Sequence, residues 1–118
     1  MISIGEMENE LLEIVWHNEN IPSGQLVKIC DEKFGWKKST TYTMLKRLQE
    51  KGVLINEDGS VHSLVSKDDI AAMKSEQLLS EEFEGSLPRF IAAFAGRKKL
   101  SSKEIDEIQK MIDDFRKE

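Results

Sequence analysis

The chain has 118 residues, of which 39% are hydrophobic and 33% charged, and its formal net charge is −5. This composition is typical of a charge-rich, mainly helical protein with one or two small domains. Because there is no apolar run of about 18 residues and no basic segment followed by an apolar one at the start, we expect neither membrane insertion nor a secretory signal.

The first predicted element is a helix that begins close to the N-terminus. Ser3 and Glu6 have the spacing of a capping box, with Ile2 and Met7 flanking it as a hydrophobic staple. Apolar residues then recur at helical spacing and predict an inner face that contains Met7, Leu11, Ile14 and Val15. Trp16 is expected to close the core at the end of this helix.

The second predicted helix follows Pro22, with Ser23 as its N-cap. Gly35 is expected to end it, because glycine tolerates the positive φ of a helix end. The inner stripe is predicted to contain Leu26, Ile29, Cys30 and Phe34. Cys30 is the only cysteine, so it forms no internal disulfide, and we interpret it as a small buried side chain in a protein of the reducing cytoplasm.

The third predicted helix, from Trp36 to Gly52, has two faces of different chemistry. At about 100° per residue, the face suited to a core contains Thr41, Met44, Leu45 and Leu48. The segment Lys33 to Lys51 holds six cations and one carboxylate in an otherwise acidic chain. Hydroxyls and cations suit hydrogen bonds to phosphates and base edges, and the alternative is an ordinary solvated face. The predicted DNA contacts are Lys37, Lys38, Ser39, Thr40, Tyr42, Thr43, Lys46 and Arg47.

A β-hairpin is predicted after Gly52, which is expected to end helix three as a left-handed cap. One strand covers residues 53–55, the turn covers residues 56–59, and the return strand covers residues 61–65. Ile21 is expected to add a one-residue strand. Three helices followed by a hairpin predict a winged helix-turn-helix domain over residues 1–66, with helix three in the DNA-reading position.

Residues 67–118 predict a second, three-helix domain that mediates dimerisation. Its first helix starts at Lys67, with an apolar stripe formed by Ile70, Met73, Leu78 and Leu79. Its last helix opens with a capping box, Ser101 and Glu104. About 50 residues are too few to bury so much apolar surface alone, so a second chain is expected to cover it; the alternative is an intrachain core against the winged helix. The expected dimer contacts are Leu87, Phe90, Ile91, Phe94, Ile105, Ile108, Met111, Ile112 and Phe115.

No arrangement of residues in the sequence supports catalysis or metal binding. His17, His62 and Cys30 lack the spacing of metal ligands, and no Ser/His/Asp set or glycine-rich phosphate loop is present. We therefore expect no enzymatic activity, no cofactor and no metal.

Motifs along nearly the whole chain resemble those of the penicillinase and methicillin-resistance repressors and their copper-operon relatives. The most specific is W-x₃-T-x₂-T-x-L-x-R-L-x₂-K-G, from Trp36 to Gly52. Other shared residues are Ile2, Ser3, Glu6, Trp16, Ser63, Leu64, Val65, Gly85, Phe94, Leu100 and Ser101. The resemblance implies a dimeric repressor with an N-terminal winged helix and C-terminal dimerisation helices. The leading hypothesis is thus a cytoplasmic repressor in which two recognition helices, related by a two-fold axis, read a palindromic double-stranded DNA operator.

This chain departs from the family pattern in the DNA-binding half. The family usually has a lysine where this chain has Ser39, although Lys37 and Lys38 lie close by. The family's wing is longer and more basic, whereas the wing here carries Glu57 and Asp58. We therefore expect a different operator and a small contribution of the wing to phosphate binding.

The resemblance also bears on how the repressor is released from DNA. In the family, a membrane-bound sensor-protease pathway cuts the chain in the region that matches Ala93 and Phe94, after an asparagine that is Ala93 here. Cleavage at this bond is the expected trigger, and a ligand or partner is the alternative. The copper-responsive branch has a cysteine-rich tail that this sequence lacks, so we expect no copper or zinc sensing.

A function from another class competes with repression. A protein–protein adaptor would use the winged helix to bind a partner protein and the acidic second half for assembly, and the net charge of −5 supports it. A repressor remains the leading interpretation, because the cations are concentrated on one helix in the DNA-reading position.

Overall fold

A computed structural model describes residues 3–117 as a mainly helical chain with one small sheet. In chain order the elements are α1 (Glu6–His17), β1 (Ile21–Pro22), α2 (Ser23–Phe34), α3 (Lys38–Glu50), β2 (Leu54–Glu57), β3 (Ser60–Ser63), α4 (Lys67–Glu82), α5 (Leu87–Arg97) and α6 (Ser102–Arg116). The predicted fold class is confirmed: three helices and a hairpin form a winged helix, and further helices follow. No helix in the described part of the chain is both long and apolar enough to cross a membrane.

The chain divides into two compact units, residues 1–77 and residues 78–118. The division falls inside α4, eleven residues after the start of that helix at Lys67. The separation of a DNA-binding part from a dimerisation part between residues 66 and 67 concerns function and stays a prediction.

The first unit is built around a continuous apolar core. Its buried hydrophobic side chains are Leu11, Leu12, Ile14, Val15, Ile21, Leu26, Cys30, Trp36, Met44, Leu45, Leu48, Val53, Leu54, Val61 and Ile70. Thr41 is also fully buried, so the predicted inner face of helix three is confirmed. Each large aliphatic side chain in such a core contributes roughly 1.5–3 kcal/mol through burial.

The sheet joins the beginning of the unit to its hairpin. Its strand order is β1-β3-β2, with Ile21 opposite Val61 and Leu54 opposite Ser63. The predicted pairing of Ile21 with the hairpin is therefore confirmed. The turn is shorter than predicted: β2 continues through residue 57, and only Asp58 and Gly59 connect the strands. Their φ values of 50° and 85° match the tight hairpin turn that Asp-Gly favours.

Helix α1 starts later than the sequence pattern indicated. The predicted capping box of Ser3 and Glu6 is wrong, because Gly5 is the N-cap and its N–H donates to Oε1 of Glu8 at 3.0 Å. The carboxylate of Glu8 also forms a long-range ion pair with Lys51. The staple residue Ile2 lies outside the described residues.

Two further expectations about the first helices need correction. Met7 is 42% exposed and does not belong to the inner face of α1. Ser23 is the first residue of α2, and Pro22, which pairs in the sheet, is the N-cap. The hydroxyl of Ser23 accepts a hydrogen bond from Tyr42 instead of capping its own helix.

The helix ends around the helix-turn-helix follow the predicted glycines. Gly35 ends α2 with φ 68°, and Gly52 follows α3 with φ 76°, so both left-handed positions are confirmed. Trp36 lies in the loop between the two helices, where it is buried and its ring centroid is 5.1 Å from that of Phe34. At the other end of the unit, Nε1 of Trp16 donates to the Val65 carbonyl at 3.2 Å, which closes the core beside β3.

The second unit contains amphipathic helices without a closed core. Neither α5 nor α6 contains a buried residue. Phe90 contacts Phe83 edge-on at 5.5 Å and stacks on Phe94 at 6.0 Å, measured between ring centroids. The predicted capping box of α6 is confirmed, since Ser101 Oγ accepts from the Glu104 N–H at 3.1 Å.

The predicted stripe of α4 is only partly correct. Ile70 is buried and Met73 is packed against the core of the first unit. Leu78, by contrast, is 45% exposed. The apolar side of α4 is thus buried at its beginning and open to solvent at Leu78.

Candidate nucleic-acid interface

Helix α3 has its two faces divided as an exposed recognition helix requires. Its inner side chains are anchored in the core, with Thr41 and Leu48 both at 0% exposure. On the opposite side, the exposed residues are Lys38, Ser39, Thr43, Lys46 and Arg47, while Thr40 and Tyr42 are half-buried and Lys37 is the exposed N-cap. The structure therefore brings the residues predicted to contact DNA, apart from Tyr42, to the exposed side of α3.

The hydroxyl oxygen of Thr43 is free to accept a hydrogen bond on this surface. Its hydroxyl donates to the carbonyl oxygen of Ser39, one turn earlier, at 2.8 Å. Because the proton is already used, the oxygen keeps its lone pairs for an incoming donor, and the methyl group remains available for apolar contact. Amino groups of adenine or cytosine are donors of this kind, and the methyl of thymine is a matching apolar partner.

Tyr42 has a different environment from the one predicted. Its ring packs against the core, and its hydroxyl donates to Ser23 Oγ at 3.2 Å. This hydrogen bond ties α3 to the first residue of α2. This contact depends on how α2 and α3 cross, and the periodicity of α3 alone does not show the crossing. The sequence pattern therefore placed Tyr42 with the outward-facing residues.

Four cations remain available around α3. Within residues 3–117, none of the ion pairs found involves Lys37, Lys38, Lys46 or Arg47, although the charge of Arg47 helps to lower the pKa of Glu8. Unpaired cations on a helix face can neutralise phosphates and release counterions, which is the main source of protein–DNA affinity. The net charge of −5 acts on the chain as a whole, whereas these charges act locally.

Lys51, the residue after α3, is used inside the protein. Its Nζ lies 2.7 Å from Oε2 of Glu8, a carboxylate that is only 7% exposed. Sequence analysis missed this pair, because Glu8 and Lys51 are 43 positions apart and nothing local in either segment indicates the contact.

The wing offers carboxylates instead of cations. Glu57 and Asp58 are exposed at its tip, and residues 54–63 contain no lysine or arginine. The carbonyl of Gly59 accepts from the N–H of Ser23 at 2.7 Å, so the tip is tied to the start of α2. The wing is thus short, anchored and acidic at its tip, and its negative charge repels phosphate, in contrast to the cations of α3.

The described residues also bear on metal binding. Among residues 3–117, no group of three or more His, Cys, Asp or Glu side chains is arranged to hold a metal ion. Burial raises the pKa of the Cys30 thiol, so the side chain is a poor thiolate ligand.

The sequence is similar to known proteins along almost its whole length. The sequence model of the penicillinase repressor family matches residues 4–114. The penicillinase repressor of Bacillus licheniformis is 26% identical over 117 residues, which cover 96% of this chain and 91% of that protein. The penicillinase repressor of Staphylococcus aureus is 21% identical over 120 residues, which cover 98% and 95%, respectively. Because the family match includes the helix-turn-helix, the wing and the C-terminal helices, this chain belongs to the penicillinase repressor family.

Proposed function

We propose that this protein is a homodimeric transcriptional repressor that reads a palindromic double-stranded DNA operator through α3. The observation that carries the proposal is the exposed face of α3, where unpaired cations and free hydroxyl acceptors lie together on a helix anchored in a core. The family membership supports the same function, since both relatives are named as repressors.

The proposed contacts fall into two groups. Lys37, Lys38, Lys46 and Arg47 neutralise backbone phosphates and set most of the affinity. Ser39, Thr40 and Thr43 face base edges in the major groove and supply sequence discrimination. Tyr42, with its hydroxyl engaged by α2, supports the helix from the side.

Dimerisation follows from the apolar surface that the second unit leaves exposed. Phe115 is 67% exposed, Leu87 53% and Phe94 44%, and such a concentration is rare on a monomeric protein. The surface we propose as the dimer interface contains Leu87, Phe90, Ile91, Phe94, Ile105, Ile108, Met111, Ile112 and Phe115. A second copy carries the same surface, so a two-fold axis lets each chain cover the other.

A dimer explains how a small domain obtains a specific operator. Two α3 helices related by a two-fold axis enter successive major grooves about 34 Å apart. Binding of one half-site makes binding of the second effectively intramolecular, which raises affinity by orders of magnitude. Opening the dimer therefore releases DNA without any change in α3.

We propose that release occurs by proteolysis between Ala93 and Phe94, through a membrane sensor-protease pathway. Both residues are exposed and lie within α5. A protease requires an extended substrate, so local unwinding of α5 must precede the cut. Cleavage there separates Phe94 and all of α6 from the rest of the interface.

The DNA-binding part is tested by fluorescence anisotropy with duplexes from the upstream region of the gene that encodes the chain. We expect Lys46→Ala and Arg47→Ala each to lower the slope of log affinity against log salt by about 0.9. Thr43→Ala should alter base preference and keep the slope. Lys110→Ala, an exposed lysine on α6, is the matched control and should change neither.

Two outcomes would contradict DNA binding through α3. An unchanged salt slope in both Lys46→Ala and Arg47→Ala would remove α3 from the interface. No binding of the wild-type protein at low salt would favour the adaptor function instead.

The release step is tested separately by mass spectrometry of the protein from induced cells. Two fragments that meet between Ala93 and Phe94 are expected when the operator is released. An intact chain at that moment would mean that a ligand or partner, and not cleavage, opens the complex.

A further inference from the structure

Lys51 is the one cation of the segment Lys33 to Lys51 whose donors are shown to be occupied within the described chain. Its Nζ donates to Oε2 of Glu8 at 2.7 Å, to Oε1 of Glu8 at 2.8 Å and to the carbonyl oxygen of Ser3 at 2.6 Å. An ammonium group has three N–H donors, and three acceptor oxygens lie within hydrogen-bonding distance of this one. Lys51 is therefore engaged inside the protein, unlike the cations on the exposed face of α3.

Glu8, the partner of Lys51, is also held by contacts inside the protein. Glu8 is 7% exposed, and its Oε1 also accepts from the N–H of Gly5 at 3.0 Å. Burial alone raises the pKa of Glu8, but the hydrogen bonds from Lys51 and Gly5 and the charges of Lys51 and Arg47 outweigh it and leave the pKa lowered. The ionised carboxylate therefore joins the start of α1 to the residue that follows α3.

We propose that Glu8 and Lys51 are positioning residues, which fix the C-terminal end of α3 for base recognition while Lys51 itself makes no DNA contact. The inference rests on the proposed function of α3 as the recognition helix. It deepens that function by assigning a role to two residues outside the exposed face.

The ion pair can affect base recognition because it holds one end of α3. Its first half is tied to α2 by the hydrogen bond from Tyr42 to Ser23, and its far end is tied to α1 by Lys51. Hydrogen bonds to base edges are lost with small changes in helix direction, whereas phosphate contacts tolerate them. Loss of the ion pair should therefore reduce discrimination between DNA sequences more than it reduces general attraction to DNA.

The experiment compares affinity for the operator with affinity for an unrelated duplex, over a range of salt concentrations. We expect Lys51→Met to lower operator affinity about tenfold, equivalent to about 1.4 kcal/mol, and to leave non-specific affinity and the salt slope unchanged. Lys46→Met, five residues earlier on the exposed face, is the matched control and should lower the slope by about 0.9 on both duplexes.

Two conservative variants separate positioning from simple loss of folding. Lys51→Arg keeps the charge and should retain most of the selectivity, whereas Glu8→Gln should lose it. The double variant Glu8→Gln/Lys51→Met should bind like the worse of the two single variants, because both remove the same interaction. Circular dichroism at the assay temperature identifies any variant that is not folded.

Three results would overturn the proposal. A lower salt slope in Lys51→Met would make Lys51 a phosphate contact. Equal losses on both duplexes would reduce the pair to a stability role, and unchanged selectivity in Lys51→Met and Glu8→Gln would remove any role in DNA recognition. Wild-type protein that does not distinguish its upstream region from unrelated DNA would instead refute the proposed function.

Discussion

The two units of this chain use similar amphipathic helices with opposite results. In the first unit the apolar faces of α1, α2 and α3 are closed into one core together with the sheet. In the second unit α5 and α6 have equally clear apolar faces, yet none of their residues is buried. An amphipathic pattern thus indicates that a helix has an apolar face, but it does not indicate which surface covers that face.

The size of each unit and the elements it contains account for this difference in burial. The first unit has helices on a small sheet, so apolar faces meet from several directions. The second unit has about 40 residues, a length at which a chain rarely builds a sufficient core of its own. We therefore expect the first unit to hold its structure alone and the second to depend on a partner copy.

The largest effect is expected from a cavity in the closed core. Leu48→Ala removes a side chain that is 0% exposed and should lower the free energy of unfolding of the first unit by about 2–5 kcal/mol. Both tryptophans, Trp16 and Trp36, lie in this unit, so their fluorescence during urea titration reports on it. Ile112→Ala on α6 is the control; a comparable loss in that variant would contradict the independence of the two units.

A charge placed on the apolar face of the second unit should dissociate the proposed dimer. Phe94→Asp puts an unpaired carboxylate into the proposed dimer interface and should cost roughly 3 kcal/mol of association free energy. Sedimentation should show monomers whose tryptophan fluorescence still reports a folded first unit. Ala92→Asp, on the opposite side of α5, should remain dimeric; a dimeric Phe94→Asp variant would contradict the proposed interface.

A smaller effect is expected at the start of α6. Ser101 Oγ accepts from the Glu104 N–H, and Ser101→Ala should destabilise the helix by about 1 kcal/mol. Hydrogen exchange at the Glu104 amide should accelerate, while the unfolding of the first unit seen by fluorescence stays the same. Ser102→Ala, at the first helical residue, is the control, and equal acceleration in both variants would mean that the cap does not hold α6.

The smallest effect should appear when the first unit is exposed to acid. The pKa of Glu8 is lowered in the folded protein from an ordinary value of 4.5, so its contribution to stability is complete above that value and is lost as the pH falls through the folded pKa. Urea titrations at decreasing pH should show this loss in the wild type. The loss should be weaker in Glu8→Gln and in Lys51→Met; an unchanged acid response in both would show that the pair does not control it.

Several features of the fold followed from the sequence because their causes are local. The positive φ at Gly35 and Gly52, the Asp58-Gly59 turn and the Ser101 cap each depend on residues within about one turn of the chain. The inner face of α3 also followed from its period. The same period placed the exposed hydroxyls and cations on one side, which is most of the candidate site.

Only the tertiary structure shows the contacts between segments that are distant in sequence. Helix α1 begins after Gly5, and not at Ser3, and the Glu8 carboxylate that accepts from the Gly5 N–H is also held by Lys51, 43 residues later. Tyr42 is half-buried because α2 passes beside it and provides Ser23 as a partner. Sequence periodicity assigns each residue to a side of its own helix, whereas the direction in which two helices cross is set by the packing of all side chains between them.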